Sequence, residues 1–380
     1  MTAPRVVVAG GHSAGHIEPT MNFADALRRL EPAAEITALG TVRGLDTTLI
    51  PARGYPLELI PPAPLPRALN RALLRSPGKL RDSARAAQAV LDRVRAEIVV
   101  GFGGYVAAPA YLAARSRGLP IVVHEANARP GMANRLAARM TTHVFTAAPG
   151  VRLAHATAIG IPVRAAITGL DRTALRHTAR QRFGLRPEGP VLLVTGGSQG
   201  AEAINRAVSG AAVALAAAGV QVLHITGPHR EVDLPQPDPA APPYVVVRYV
   251  TEMQYAYAAA DFVICRSGAM TCAELACVGL PAAYVPLPLR GGEQRHNAVP
   301  VVAAGAALLV NDADLDADWI ETTLVPVLTD PARIAAMSAR ASTAAASDAD
   351  VVLARHVLSV IAERRGTPPE RSDDASAHRQ

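Results

Sequence analysis

The chain has 380 residues, half of them hydrophobic and 4% aromatic, with a formal net charge of +6. That length favours two domains over one, with cores built from Val, Leu, Ile and many alanines. The charge is modest for the length, its arginines are dispersed (Lys79 is the single lysine), and no aromatic stacking motif accompanies them, so composition gives little support for a nucleic-acid partner. Cys265, Cys272 and Cys277 cluster without a zinc-type spacing or a histidine pair, which fits reduced structural thiols in a cytosolic protein. The N-terminus runs straight into a strand and lacks the pattern of a signal peptide. The most apolar long run, Ala207 to Leu223, is interrupted by glycine and reads as helix, stop and strand rather than as a membrane span.

In chain order, Arg5–Ala9 is expected as a strand, followed by a glycine-rich turn and a helix over Ile17–Leu30 with Pro19 in its first turn. A strand at Glu35–Leu39 leads into a proline-rich extended segment, Arg53–Pro66. Ala68–Ala96 is helical with a break near Ser76-Pro77-Gly78. Ile98–Val100 is a strand, Val106–Ser116 a helix, Ile121–His124 a strand, Ala133–Arg139 a helix, and short strands at His143–Thr146 and Thr157–Ile159 form an edge. After a hinge at Gly160–Arg164 the alternation restarts. It gives a helix over Arg172–Phe183, a strand at Val191–Thr195, a helix over Ala201–Ala217, and strands at Gln221–Thr226 and Tyr244–Tyr249. A helix over Met253–Ala259 and a strand at Phe262–Cys265 precede a helix over Met270–Cys277, then come a strand at Ala282–Val285, a helix over Asn297–Ala304 and a short strand at Ala306–Val310. The pattern predicts an α/β fold with parallel sheets covered on both faces. The expected division is 1–163 and 164–364, facing one another across a cleft, with the last helices able to pack back on the first domain and a disordered tail over 365–380.

Each domain carries glycine-rich strand-to-helix turns, where free backbone N–H groups favour an anion. Gly10–Gly15 lacks the G-x-G-x-x-G spacing and no acidic residue ends the second strand, which excludes a dinucleotide fingerprint; the Walker pattern is also missing. His16 opens a helix at the first turn, either packing there or serving a reacting centre. His124-Glu125 ends another strand, with Asn127 and Asn134 nearby, and Asn127 has an equally ordinary reading as a turn residue. Gly196–Gly200 is either a tight turn or a phosphate cradle that includes the Ser198 hydroxyl. Arg164 either neutralises phosphates or is an exposed interdomain charge. Thr271-Cys272-Ala273-Glu274 fits a T-x-x-E capping box, so Glu274 reads as a cap or as an acceptor for ligand hydroxyls. Glu293–Asn297 ends a loop at a helix start. Leu65–Arg81 interleaves Leu69, Leu73 and Leu74 with Arg71, Arg75 and Lys79; this is either a face for an anionic bilayer or an ordinary packed amphipathic helix.

Together the motifs GGHSAGHIEP (10–19), GFGGYVAAPA (101–110), HEANARPGMANR (124–135), GGSQGA (196–201), CRSGAMTCAE (265–274) and EQRHNA (293–298) resemble the MurG family of glycosyltransferases in order and spacing. The resemblance implies a GT-B fold of two Rossmann-like domains. It implies inverting transfer of N-acetylglucosamine from the UDP sugar to the 4-hydroxyl of the muramoyl sugar of undecaprenyl-linked lipid I, giving lipid II for peptidoglycan. No cofactor or bound metal is implied. The implied partners are UDP-GlcNAc, the lipid I acceptor, an anionic inner-membrane surface at the cytoplasmic face, and cell-wall or division proteins. Residue by residue, the resemblance assigns UDP-sugar contacts to Ser13, Ala14, Gly15, Asn127, Arg164, Ser198, Val250 (through its backbone), Ala269, Met270, Thr271, Cys272, Ala273, Glu274 and Gln294. His16 is the favoured base and Glu125 the second choice, with His124 orienting its loop. The first turn departs from the commoner GGTGGH of the family, because His12-Ser13-Ala14 replaces part of it. Another GT-B UDP-sugar enzyme and a non-catalytic UDP-GlcNAc sensor are the competing readings.

Overall fold

Runs of Val, Ile, Leu and Ala bounded by glycine form the strands of two parallel sheets. The computed structural model describes residues 2–63, 76–236, 238–288, 292–342 and 348–366. These divide into two compact units, one made of residues up to 125, 130–162 and 349 onward, the other of 126–129 and 163–348.

The first unit contains β1 (Arg5–Gly10), α1 (Ala14–Leu30), β2 (Glu35–Gly40), α2 (Asp46–Ala52), β3 (Leu57–Leu59), α3 (Ser76–Arg93), β4 (Ile98–Gly103), α4 (Ala107–Ser116), β5 (Ile121–Glu125), α5 (Met132–Ala137), β6 (Val144–Thr146) and β7 (Ala156–Ala158). Its sheet order is β3-β2-β1-β4-β5-β6-β7, parallel throughout. Along β1 the side chains alternate between two cores: Val6 and Val8 face one, Val7 and Ala9 the other. Burial on both faces is why these strands are continuously apolar rather than alternating with polar residues. From β1 the chain builds outward to β2 and β3, then crosses back to β4 on the other side. The loops after β1 and β4 therefore flank the switch point, where no crossover covers the strand ends.

The second unit repeats this plan with α6 (Ala165–Thr168), α7 (Arg172–Arg182), β8 (Val191–Thr195), α8 (Glu202–Gly210), α9 (Ala212–Ala217), β9 (Gln221–Ile225), β10 (Tyr244–Val247), α10 (Met253–Ala259), β11 (Phe262–Cys265), α11 (Ala269–Cys277), β12 (Ala282–Tyr284), α12 (Glu293–Ala303), β13 (Ala307–Leu309), α13 (Ala317–Trp319), α14 (Val325–Leu328) and α15 (Pro331–Ser342). Its order is β10-β9-β8-β11-β12-β13, which puts the switch point between β8 and β11. The chain then returns to the first unit as α16 (Ala349–Arg365), whose Leu353, Ala354 and Val357 share a core with Ile17, Met21 and Ala24 of α1.

Several elements differ from expectation. α1 begins at Ala14, which places His16 in its first turn and Pro19 inside the helix. The expected break at Ser76-Pro77-Gly78 is not found: all three residues are helical within α3. α2 had no expectation; it begins at Asp46, whose buried carboxylate accepts from three groups. The Ala201–Ala217 helix is two helices meeting at Ala211. Arg365, expected to open a disordered tail, ends α16 and is tied to Glu97 by two bonds of 2.6 and 2.7 Å and to the carbonyls of Thr2 and Ala3. Residues 367–380 lie outside the described residues, as do Leu69, Arg71, Leu73, Leu74 and Arg75; Lys79 is exposed on α3.

Two buried histidines link the fold to pH. Burial holds His124 and His224 neutral, with pKa values pushed down to about 4. His224 is fixed by Tyr244 at 2.8 Å and Asn205 at 3.1 Å. In the unfolded chain the same groups gain protons near pH 6.5, so protonation favours unfolding between these values. Stability in urea melts is expected to fall as pH drops from 7 to 4.5, by roughly 1.4 kcal/mol per pH unit for each such histidine, and to be flat between pH 7 and 8.

Candidate active site

At the first switch point, β1 ends in Gly10 and the chain reaches α1 through Gly11-His12-Ser13. Ser13 is the N-cap by backbone position, but its side chain makes no capping bond, and Ser13 and Gly15 are exposed. His16 Nδ1 lies 3.0 Å from the carbonyl oxygen of Phe102, at the end of β4. A carbonyl only accepts, so Nδ1 carries the proton and Nε2 of the neutral ring keeps its lone pair. The ring is half-buried. The β4 loop fits against it closely: a Cβ on Gly103 would come within 3.1 Å of His16 Cε1, and one on Gly104 within 2.3 Å of the Gly11 carbonyl. Both glycines have left-handed φ, 94° and 81°, so glycine is required twice over.

β5 ends in His124 and Glu125, both fully buried. His124 Nε2 donates to the Gly160 carbonyl at 2.7 Å. Glu125 Oε2 accepts from Gly131 N at 2.9 Å and Asn134 Nδ2 at 3.0 Å, and Asn134 Oδ1 accepts from Tyr111 at 2.8 Å. The 100–135 region is thus held by a chain of buried polar groups from α4 through α5 to the end of β5. Asn127 sits half-buried in the short 126–129 segment that groups with the second unit.

At the second switch point, β8 leads into Gly196–Gly200 and α8, and β11 into Arg266–Gly268 and α11. Thr195 and Cys265 stand side by side in register, so the two turns are neighbours. Neither helix has a side-chain cap: Ala201 and Gly268 occupy the N-cap positions. Their first-turn N–H groups are left for an anion. Ser198 is half-buried in the first turn. Ser267 precedes the second, with its Oγ fully buried and lacking a hydrogen-bond partner. Arg266 donates to the Val285 carbonyl at 3.1 Å and pairs with Asp312. Asn297 of α12 donates to the Ser267 carbonyl at 3.3 Å.

The capping-box reading of Thr271 is corrected. α11 starts two residues before Thr271, behind Gly268, so Thr271 lies in the helix. Glu274 is half-buried and accepts a 2.7 Å bond from the Tyr257 hydroxyl of α10. Burial, and then the Glu274 charge, push the Tyr257 phenol well up, while the Arg164 charge opposes them, which sets Arg164 near the same pair. Arg164 also reaches the Thr251 carbonyl at 3.5 Å, next to half-buried Val250. Ala269, Met270, Thr271, Cys272 and Ala273 all lie on α11. Glu293–Asn297, expected to end a loop, form the first turns of α12, and Gln294 Oε1 accepts from Leu287 N at 2.9 Å. Burial raises the Cys272 thiol to about 12 and pushes the Cys265 thiol well up, consistent with packing rather than reactive thiols. Tyr257 escaped the sequence reading because its partner is 17 residues away; Asn297 was read only as part of a polar cluster, and its partner is 30 residues away. Among the described residues no group of three His, Cys, Asp or Glu side chains could hold a metal ion, and no helix is long and apolar enough to cross a membrane.

Two parallel-sheet Rossmann-like units, each with glycine turns at its switch point, define a GT-B glycosyltransferase. Residues 6–146 match the N-terminal domain of glycosyltransferase family 28 and residues 191–353 its C-terminal domain. The chain is 56% identical to the UDP-N-acetylglucosamine--N-acetylmuramyl-(pentapeptide) pyrophosphoryl-undecaprenol N-acetylglucosamine transferase of Rhodococcus opacus, over 95% of this chain and 97% of that one. It is 57% identical to the transferase of the same name in Mycolicibacterium smegmatis, over 94% and 93%. Among solved structures, Acinetobacter baumannii MurG is similar with a TM-score of 0.74 and 25% identity, over 95% of this chain and 99% of that one. The calicheamicin glycosyltransferase CalG4 shares the fold at a TM-score of 0.66 and 15% identity, over 96% and 99%. The chain belongs to the MurG family of glycosyltransferase family 28.

Two glycines of one turn separate backbone strain from collision. Gly197 and Gly200 have φ of 80° and 69°; a Cβ on Gly197 meets nothing within 4 Å, whereas one on Gly200 comes within 2.2 Å of the Thr226 carbonyl. Gly197→Ala should cost about 1 kcal/mol of stability from backbone strain alone, and Gly200→Ala at least ~2 kcal/mol more. Chemical denaturation of the two variants checks the order; equal losses would contradict it.

Proposed function

We infer that this protein transfers N-acetylglucosamine from UDP-GlcNAc to the 4-hydroxyl of the muramoyl sugar of lipid I, forming lipid II and UDP in peptidoglycan synthesis. Similarity to transferases of that name over nearly the whole chain carries this reading. The residue roles are those the family resemblance implies, and the geometry of each unit supports some of them.

The second unit is the donor half. The diphosphate would take the uncapped N-termini of α8 and α11, the Ser198 hydroxyl and the Arg164 guanidinium, which together stabilise charge as the leaving group departs. Glu274, braced by Tyr257, would accept from the ribose hydroxyls. The Val250 backbone serves the uracil, Gln294 the sugar hydroxyls, and Asn127 the sugar side of the donor. Ser13, Ala14 and Gly15 of the first turn would also contact the UDP sugar.

His16 is the base. The acceptor oxygen attacks the anomeric carbon as the bond to the UDP oxygen breaks, which inverts that carbon, and the hydroxyl proton passes to Nε2 of His16. The hydrogen bond that Nδ1–H donates to the Phe102 carbonyl orients the ring and leaves Nε2 able to accept. Glu125, buried and engaged by Gly131 and Asn134, suits holding the loop in place rather than receiving the proton.

The acceptor's lipid calls for a membrane surface, and the leucine- and arginine-rich segment Leu65–Arg81 has the composition to bind anionic lipid at the cytoplasmic face. Replacing Leu73 and Leu74 with Asp should weaken binding to anionic vesicles with UDP binding intact; unchanged vesicle binding would reject that segment. For the chemistry, wild type should move labelled GlcNAc from UDP-GlcNAc to a short-chain lipid I analogue. His16→Ala should lower kcat by ~10²–10⁴ with little change in the donor KM, and Glu274→Ala should raise the donor KM about tenfold or more. Absence of transfer by wild type would reject the activity, and full activity in His16→Ala would reject the base.

A further inference from the structure

His12 is a non-glycine residue held in the left-handed region, at φ 80°. Such a conformation persists only where the surroundings over-determine it, and it tends to mark a functional site. Here the backbone is gripped from both sides: its N–H donates to Asp46 Oδ1 at 2.5 Å, and its carbonyl accepts from Leu45 N at 3.2 Å. Asp46 is itself fully buried and also accepts from the Thr41 amide and hydroxyl. The fold thus fixes this residue firmly in a shape that would suit glycine better.

The side chain has a use for that position. The His12 ring packs against Tyr105, tilted by 33° with centroids 4.3 Å apart, and Tyr105 is 38% exposed. Nδ1 of His12 is buried without a hydrogen-bond partner. A proton there would bury an unsatisfied donor, so the neutral ring carries it on Nε2, which is not among the buried atoms lacking a partner. The Gly103-Gly104-Tyr105 loop is wedged between the His16 ring and the Gly11 carbonyl. An aromatic face, an imidazole N–H and the base therefore occupy one rim of one unit.

We propose that His12 is a specificity residue for the acceptor: it braces Tyr105 as a platform for the pyranose that carries the attacking hydroxyl and directs its Nε2–H to an oxygen on that sugar's substituents. This rests on His16 as the group that meets that hydroxyl. A flat aromatic surface matches the C–H face of a sugar ring, and a donor at its edge distinguishes a substituted acceptor sugar from a plain one. No turn of the second unit contains this arrangement among the described residues: its positive-φ positions are all glycine.

Steady-state kinetics with a short-chain lipid I analogue and UDP-GlcNAc test this, alongside melting temperatures. His12→Gly keeps the backbone geometry and removes the ring. It should raise the acceptor KM about tenfold, leave the donor KM within about twofold, and leave the melting temperature equal or higher. Tyr105→Leu should shift the acceptor KM in the same direction. Unchanged acceptor KM in both variants would overturn the proposal, and so would a lowered melting temperature with equal rises in both KM values, which would assign His12 to the fold alone. His16→Ala in the same assay keeps the two ideas apart: full activity there with a raised acceptor KM in His12→Gly would remove the base and keep the platform.

Discussion

The candidate site of each unit depends on close backbone approach where its sheet changes direction. A parallel sheet built outward from its middle leaves one pair of strand ends uncrossed, and the loops there must pack on each other without side chains in the way. In the first unit, Gly103 and Gly104 seat the β4 loop against His16 and Gly11. In the second, Gly200 seats the β8 turn against the Thr226 carbonyl, beside the turn after β11. Because these contacts are made by backbone, their geometry is set by the sheets, and the side chains nearby are freed for chemistry.

The two units use that constraint differently. The second presents helix starts without side-chain caps, a hydroxyl at Ser198, and an acid at Glu274 held by a buried tyrosine. That combination suits a nucleoside diphosphate, whose charge needs N–H groups and whose ribose needs an acceptor. The first presents imidazoles. His16 is oriented through Nδ1 and His124 is locked through Nε2, so one of the two keeps a usable lone pair while the other serves the frame. CalG4 shares the fold at 15% identity, and fold alone therefore says little about which sugar or acceptor is used.

The alternation of apolar strands and helices made the α/β class and most elements legible in the sequence, since strands buried on both faces must be apolar throughout. Motif order made the family legible. Local pattern failed where a distant partner decided the outcome. Thr271–Glu274 read as a capping box because the spacing fits, but α11 begins at Ala269 behind the N-cap Gly268, and Glu274 is engaged by Tyr257, 17 residues earlier. Ser76-Pro77-Gly78 read as a break although all three residues are helical within α3. α2 was missed because Asp46, which opens it, takes its buried role from His12 and Thr41 rather than from its own segment. The strain at His12 has no sequence signature, since nothing in Gly10–His16 marks which residue takes the positive φ.

The claim that the β8 and β11 turns form the nucleotide half is tested most directly by amide hydrogen exchange on the full chain with and without UDP. The account predicts added protection at residues 197–203 and 268–274 and at most small changes in 10–16 and 103–105. Protection confined to 10–16 and 103–105, with 197–203 and 268–274 unchanged, would contradict it.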